Sequence, residues 1–278
     1  MKQSEGKAGG KNPPDYFMES EDENLRLDVK TDPDALKRQA LWCGVQSGMR
    51  ILDAGCGPGV TTALLAEMAG PDGSVTGVDY SSERIAYARR HYGDQTGVAF
   101  DLHDLRESCR RLGGFDLIWV RFVLEYHRSS AGRIVANLIE CLNPGGLLCL
   151  LDLDYNCLIH YDPPESMSRI VENVMAAMSQ RYDFDPFVGR KLYAMLYDAG
   201  LEKIQVDVSA HNVFYGVLKK KDHFNIMKKL EIAAKLEPQL LDGYPGGMER
   251  FHQDFEAFLL DPRRFSYTPL ILCRGQKV

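Results

Sequence analysis

Through the first half of the chain, short apolar runs alternate with longer segments of helical spacing. RILDAG (50–55) reads as a buried strand, and VTTALLAEMAG (60–70) as a helix closed by Gly70. SVTGVD (74–79) is a second strand after the turn Pro71-Asp72-Gly73, and SERIAYARRHY (82–92) is a helix capped by Ser81 or Ser82. VAFDL (98–102) and FDLIWV (115–120) are a third and a fourth strand. SAGRIVANLIECL (130–142) is a helix ended by Asn143-Pro144-Gly145-Gly146, and LLCLLDLD (147–154) is a fifth strand. This rhythm predicts an α/β fold with an open, largely parallel sheet. Ligands of such sheets sit beyond the carboxyl ends of the strands, near the topological switch point.

The second half departs from simple alternation. Residues 165–181 place Met167, Ile170, Val171, Val174, Met175 and Met178 at helical spacing, which reads as core or lid packing. FVGRKLYAMLYDAG (187–200) is a helix ended by Gly200, and EKIQVDVSAHNVF (202–214) is a strand. Two more helices follow at 222–237 and 247–260, the latter with Met248, Phe251, Phe255, Phe258 and Leu259 on one stripe. SYTPLILCRG (266–275) closes the chain as a strand.

Composition changes this picture little. The 278 residues are 45% hydrophobic and 26% charged, with a net charge of −6, so no excess of positive charge argues for nucleic acid. The longest uninterrupted apolar run, LLCLL (147–151), is far too short for a membrane span. Seven cysteines, with no C-x-x-C pair, read as reduced core thiols of a cytoplasmic protein. Residues 1–15 are expected to form a loose polar tail and 16–278 the folded domain. The Lys219-Lys220-Lys221 run reads as solvated.

The chemistry concentrates after the first strand. Gly55, Gly57 and Gly59 form a glycine loop, but a dinucleotide fingerprint needs its third glycine at position 60, which is Val60. The G-K-[ST] of a P-loop is absent as well. Asp53, just before the loop, would repel a pyrophosphate and attract an ammonium. S-adenosylmethionine carries an ammonium and a sulfonium but no phosphate, while the glycines still let backbone approach it closely. Asp79 ends the second strand, where a carboxylate accepts from ribose hydroxyls, and Tyr80 follows it, placed to lie against adenine. Near the end of the third strand come His103, Asp104 and Leu105, where a carboxylate can accept from the adenine amine. Asp101 competes with Asp104 for that role.

Five motifs, ILDAGCGPG (51–59), VTGVDYS (75–81), HDL (103–105), FDLIWVRFVLEY (115–126) and LNPGG (142–146), resemble the class I S-adenosylmethionine-dependent methyltransferases in order and spacing. The resemblance covers residues 50–154 and, through the helical lead at 34–50, leans toward the small-molecule branch. It implies a Rossmann-like, seven-stranded, mostly parallel sheet whose last strand runs antiparallel. It also implies cofactor contacts at Asp53, Gly55, Gly57, Asp79, Tyr80, Asp104 and Leu105, completed by backbone at Val120 or Arg121. By the same likeness Gln39 or Tyr16 folds over the cofactor. Asn12-Pro13-Pro14-Asp15-Tyr16 stands in the wrong place for the N-P-P-Y motif of amine-methylating enzymes.

The implied reaction is methyl transfer to a small-molecule acceptor by in-line displacement, with the protein supplying alignment. The alternatives are an RNA or protein acceptor, or a non-catalytic binder of S-adenosylmethionine or S-adenosylhomocysteine. Arg121, Glu125, Tyr126 and His127 after the fourth strand, Asp152, Asp154, Tyr155 and Asn156 at the end of the fifth, and His160 and Tyr161 soon after are all placed to touch the acceptor. His127, Asp154 and His160 are the candidates for a base. Helical insertions at 155–184 and 215–264 are read as a lid over the acceptor. No metal is expected, no nucleic-acid or membrane partner, and a monomer or homodimer.

Overall fold

A computed structural model describes residues 32–156, 158–236 and 243–278. The expected tail at 1–15, Tyr16 and Cys157 lie outside the described residues. The elements, in chain order, begin with α1 (Pro33–Cys43), β1 (Arg50–Ala54), α2 (Val60–Ala69), β2 (Ser74–Asp79), α3 (Ser82–Tyr92), β3 (Val98–Leu102) and β4 (Phe115–Arg121). They continue with α4 (Ala131–Glu140), β5 (Leu142–Leu153), β6 (Ile159–His160), α5 (Glu165–Arg181), α6 (Leu192–Asp198) and β7 (Glu202–Tyr215). α7 (Lys220–Leu236), α8 (Gly247–Leu260) and β8 (Phe265–Gln276) complete the fold.

β3, β2, β1, β4 and β5 are parallel neighbours in that order. β8 runs antiparallel to β5, and β7 runs antiparallel to β8 along the edge. The last strand is therefore antiparallel, as expected, but the sheet has eight strands and not seven. The extra one is β6, two residues that pair with Ser266 and Tyr267 of β8 just beyond the end of β5. So short a segment has no periodicity to read.

The period of two along the strands divides the core. Leu52, Ala54, Ile118, Val120, Leu148 and Leu150 face α4 and α6. Ile51, Leu117, Trp119, Cys149 and Leu151 face α1 and α2. Helix ends follow local chemistry. Asp32 caps α1 by accepting from the N–H groups of Asp34 and Ala35, with Pro33 in the first turn and Gly44 closing the helix at φ 95°. Ser81, and not Ser82, caps α3. The expected helix at 187–200 is shorter, a 3-10 turn at Gly189–Lys191 leading into α6. A separate small core joins α5, α7 and α8 through Met167, Ile170, Met227, Phe251, Phe255 and Leu259. The six described cysteines are buried and free. No described helix is long and apolar enough to cross a membrane.

Candidate functional site

The glycine loop links β1 to α2 at the switch point, since β1 lies between β2 and β4. Gly55, Gly57 and Gly59 all have left-handed backbone, at φ 80°, 55° and 98°. A Cβ on Gly55 would lie 2.4 Å from Val123 Cγ2, and one on Gly59 would lie 2.9 Å from the Cβ of Ala88. Packing therefore explains those two. A Cβ on Gly57 would meet nothing within 4 Å. Gly57 thus turns bare backbone toward open space, as close approach to a ligand requires.

Asp79 holds this loop in place. It is 4% exposed, and its Oδ2 accepts from Gly57 N–H at 3.0 Å while Oδ1 accepts from Ser81 N–H at 2.9 Å. Arg84 Nη1 stands 3.9 Å from Oδ2. Each carboxylate oxygen has two lone pairs, so both keep capacity for a hydroxyl. Tyr80 is half-buried beside it.

Asp53 lies deeper, 2% exposed, with Oδ2 accepting from Thr62 Oγ1 at 2.7 Å. Burial raises its pKa from 3.8 to about 7, against the lowering effects of the Thr62 hydrogen bond and of Arg121, with Asp79 adding to the rise. Two buried carboxylates flanking an open glycine fit an ammonium and a ribose diol, and they disfavour a pyrophosphate. Asp104 and Asp101 separate clearly. Arg106 grips both oxygens of Asp104 at 2.7–3.0 Å, which holds its carboxyl below the usual range. Asp101 pairs outward with Arg111. Leu105 is buried in the core, its carbonyl accepting from Asn137 Nδ2.

Arg121 ends β4 between the charges of Asp53 and Asp152. Burial lowers its pKa from 12.5 to about 10, so it stays a cation at neutral pH. Its Nε donates to Gln39 Oε1 at 3.1 Å, so Gln39 reaches the crevice by gripping Arg121. Asp152 is 1% exposed, and burial together with neighbouring Glu125 pushes its pKa well up. Glu125 donates its N–H to Asp152 Oδ2, and its carboxylate accepts from Asn156 Nδ2. This network ties the 3-10 turn after β4 to the segment after β5. Phe122, Tyr155 and Leu158 are three of the five described non-glycine residues at positive φ, and all three fall where the chain leaves those two strands.

Between this point and α5, α7 and α8 lies a cavity of about 290 Å³. Ile170 and Val174 of α5, Ile226 and Leu230 of α7, and Phe251 and Phe255 of α8 make its apolar walls. The sheet contributes Arg121, His211 and Phe214, and Asn156 joins them. The His211 ring sits edge-on to Phe122, centroids 4.8 Å apart.

None of the three candidate bases lines that cavity. His127 lies among the fields of Arg106, Asp183, Asp104 and Asp79, and burial lowers its pKa below 6.5. Asp154 is held by Arg190 through two hydrogen bonds of 2.8 and 3.0 Å. His160 stands behind the wall, edge-on to Phe255 and Phe258, with Nδ1 2.7 Å from Ser266 Oγ and a pKa lowered by burial to about 4. Sequence proximity to a strand end does not give side-chain direction. His211, which does line the cavity, lies in the middle of a strand assigned for its pattern alone. Among the described residues no His, Cys, Asp and Glu cluster is placed to hold a metal ion.

Residues 51–146 match the family model of a methyltransferase domain. A 37.1 kDa protein of transposon TN4556 from Streptomyces fradiae is 30% identical over 153 residues, spanning 55% of this chain and 43% of that one. Methyltransferase GfsG from Streptomyces halstedii is 31% identical over 112 residues, 39% of each chain. The chain thus spans less than half the length of these curated relatives. The Haemonchus contortus phosphoethanolamine N-methyltransferase 2, solved with phosphomonomethylethanolamine and S-adenosylhomocysteine, superposes with a TM-score of 0.54. That match has 16% identity and covers 88% of this chain and 52% of the other, a likeness of fold. With the glycine loop, its two carboxylates and the parallel order β3-β2-β1-β4-β5 in place, residues 51–146 are similar to a methyltransferase domain carried on a Rossmann-like sheet.

Proposed function

We propose that this protein is an S-adenosylmethionine-dependent methyltransferase with a small-molecule acceptor. The observation that carries the reading is the crevice in which Asp53 and Asp79 flank open Gly57, adjoining a cavity with largely apolar walls at Arg121. GfsG, by its name a methyltransferase, and the Haemonchus enzyme, solved with S-adenosylhomocysteine, support it. Bound in the crevice, S-adenosylmethionine supplies an electrophilic methyl group on a sulfonium centre.

The chain's own residues then have distinct tasks. Asp79 accepts from the ribose hydroxyls while keeping its grip on Gly57 and Ser81. Asp53 faces the ammonium and gives up its proton as that charge approaches. Gly57 would provide close backbone beside Gly55, and Tyr80, with the edge of the core at Leu105, would lie beside the adenine. Asp104, fixed by Arg106, accepts from the adenine amine. Arg121 stands at the junction of crevice and cavity. The segments 155–184 and 215–264 act as a cap that excludes water from the acceptor, as insertions in a single domain spanning 16–278. A cavity of about 290 Å³ walled by α5, α7 and α8 favours a small acceptor over RNA or a protein. Six buried free thiols suit a reducing compartment, so we place the protein in the cytoplasm, as a monomer or homodimer.

Calorimetric titration with S-adenosylmethionine and S-adenosylhomocysteine tests the reading, comparing the native chain with Asp53→Ala and Asp79→Ala. Micromolar binding that both substitutions weaken supports it. A folded native protein that binds neither compound would sink it.

A further inference from the structure

The cavity under the cap carries information about the acceptor that the cofactor crevice does not. At about 290 Å³ it is nearly twice the roughly 150 Å³ that suffices for benzene in an apolar protein cavity. Its long walls are aliphatic and aromatic, from Val174 and Ile226 to Phe251 and Phe255. Polar side chains line the cavity at the start of α7, with Lys221 and Asn225, and where the sheet meets it, with Arg121, Asn156, His211 and Asn212; among those at the sheet, Arg121 and His211 differ most in hydrogen-bonding character. A guanidinium only donates, whereas an imidazole offers one donor and one acceptor. That pair suits an oxygen, which accepts from Arg121 and donates to His211. An ammonium would meet the cations of Arg121 and Lys221. The two lining carboxylates belong to helix starts: Asp32 is engaged in capping α1, and Asp222 lies in the first turn of α7.

We propose that the acceptor is a mostly apolar molecule about the size of two fused rings, presenting one hydroxyl to Arg121 and His211. This rests on the methyltransferase reading for its meaning, but the cavity can be tested by itself. Its surroundings fit such a molecule at both ends, with strained backbone at Phe122 and Leu158 holding the polar end in place.

The protein is titrated at pH 7 with 1-naphthol, the cationic 1-naphthylmethylamine and phenol, each with and without S-adenosylhomocysteine. The expectation is that 1-naphthol binds about tenfold or more tightly than the half-sized phenol and the size-matched amine. His211→Leu should bring the naphthol affinity down to that of the amine. Phe255→Trp and Val174→Phe each fill the cavity and should abolish naphthol binding while leaving S-adenosylhomocysteine affinity unchanged. Two such variants guard against one that fails to fold, which circular dichroism detects. Equal affinities for naphthol and phenol, or for naphthol and the amine, would overturn the proposal. So would naphthol binding that survives a folded cavity-filling variant. Absence of S-adenosylhomocysteine binding to the native chain would instead count against the cofactor reading, and the naphthol arms without cofactor would still decide the cavity.

Discussion

On one side of Arg121 the site is made of backbone, and on the other it is made of side chains. The cofactor crevice depends on three left-handed glycines, two strand-end carboxylates and the hydrogen bonds from Gly57 and Ser81 to Asp79. All of these come from a continuous run of chain between β1 and α3. The acceptor cavity depends on apolar side chains from α5, α7 and α8, which share a small core of their own apart from the two sheet cores. A backbone-built site tolerates little variation, because each position is set by φ, packing or a ladder. A side-chain-built site can be reshaped one residue at a time while its helices stay where they are.

The sharpest way to break that comparison is to damage the cap's core alone. Phe251 is 1% exposed, stacked on Phe255 with centroids 5.8 Å apart. Phe251→Ala should destabilise its surroundings by ~3–5 kcal/mol. If the cap is a separate unit, hydrogen exchange should speed up in α5, α7 and α8 while β1, β2 and β4 stay protected. A uniform loss of protection would refute the separation.

The crevice offers the next largest effect, through pH. Asp53 has a folded pKa of about 7 against 3.8 for an ordinary carboxyl. Between those values the folded chain binds more protons than the unfolded chain, so stability falls as pH rises through the window. The penalty is absent below about pH 4 and complete above about pH 7, amounting to as much as ~4 kcal/mol. Asp53→Asn should flatten that slope in urea titrations across pH and raise stability at pH 8. If Asp53 faces an ammonium, cofactor binding near pH 7 should also release a proton. Calorimetry in buffers of different ionisation enthalpy would measure it, and release that persists in Asp53→Asn would exclude this residue as its source.

Asp79→Ala should weaken S-adenosylhomocysteine binding by ~1–3 kcal/mol, the scale of lost charge-assisted hydrogen bonds. Naphthol affinity in the cavity should not move, and a parallel loss there would show the two halves to be coupled. The smallest effect should come from Arg190→Ala. It removes an ion pair with Asp154 whose arginine is 60% exposed, worth ~0.2–1 kcal/mol. Neither binding nor melting temperature should change noticeably, and a large effect on either would return Asp154 to the functional residues.

The same division explains what could be read from the sequence. Strands β1 to β5, the helices between them and the glycine loop were legible because each is specified locally. Alternating or continuous apolar runs mark the strands, Gly70 and Ser81 mark helix ends, and Asp53 and Asp79 stand at fixed offsets from the loop. The cap helices were legible as elements, with α8 matching its expected bounds at 247–260. Their meeting place was not. Val174, Ile226 and Phe255 come together from three segments far apart in the chain, and no spacing rule links them. His211 carried no local signal, since a histidine in a strand reads the same whether it faces solvent or a cavity. For His127, Asp154 and His160 the sequence offers only a position after a strand end; none of the three lines the cavity, and Asp154 is paired with Arg190 and His160 packed against Phe255 and Phe258.

The ladder between β7 and β8 has one further consequence. It continues to the pair Tyr215↔Phe265, so residues 216–264 leave and rejoin the sheet at adjacent rungs. To the sheet, that whole segment is equivalent to the connection of a hairpin. Chain exchanged there leaves the register of every strand unchanged, as well as the loop, the two acids and Arg121. The molecule therefore has an interchangeable part, carrying two of the cavity's three helical walls. Trading one α7–α8 segment for another would reshape the cavity without rebuilding the sheet or the glycine loop.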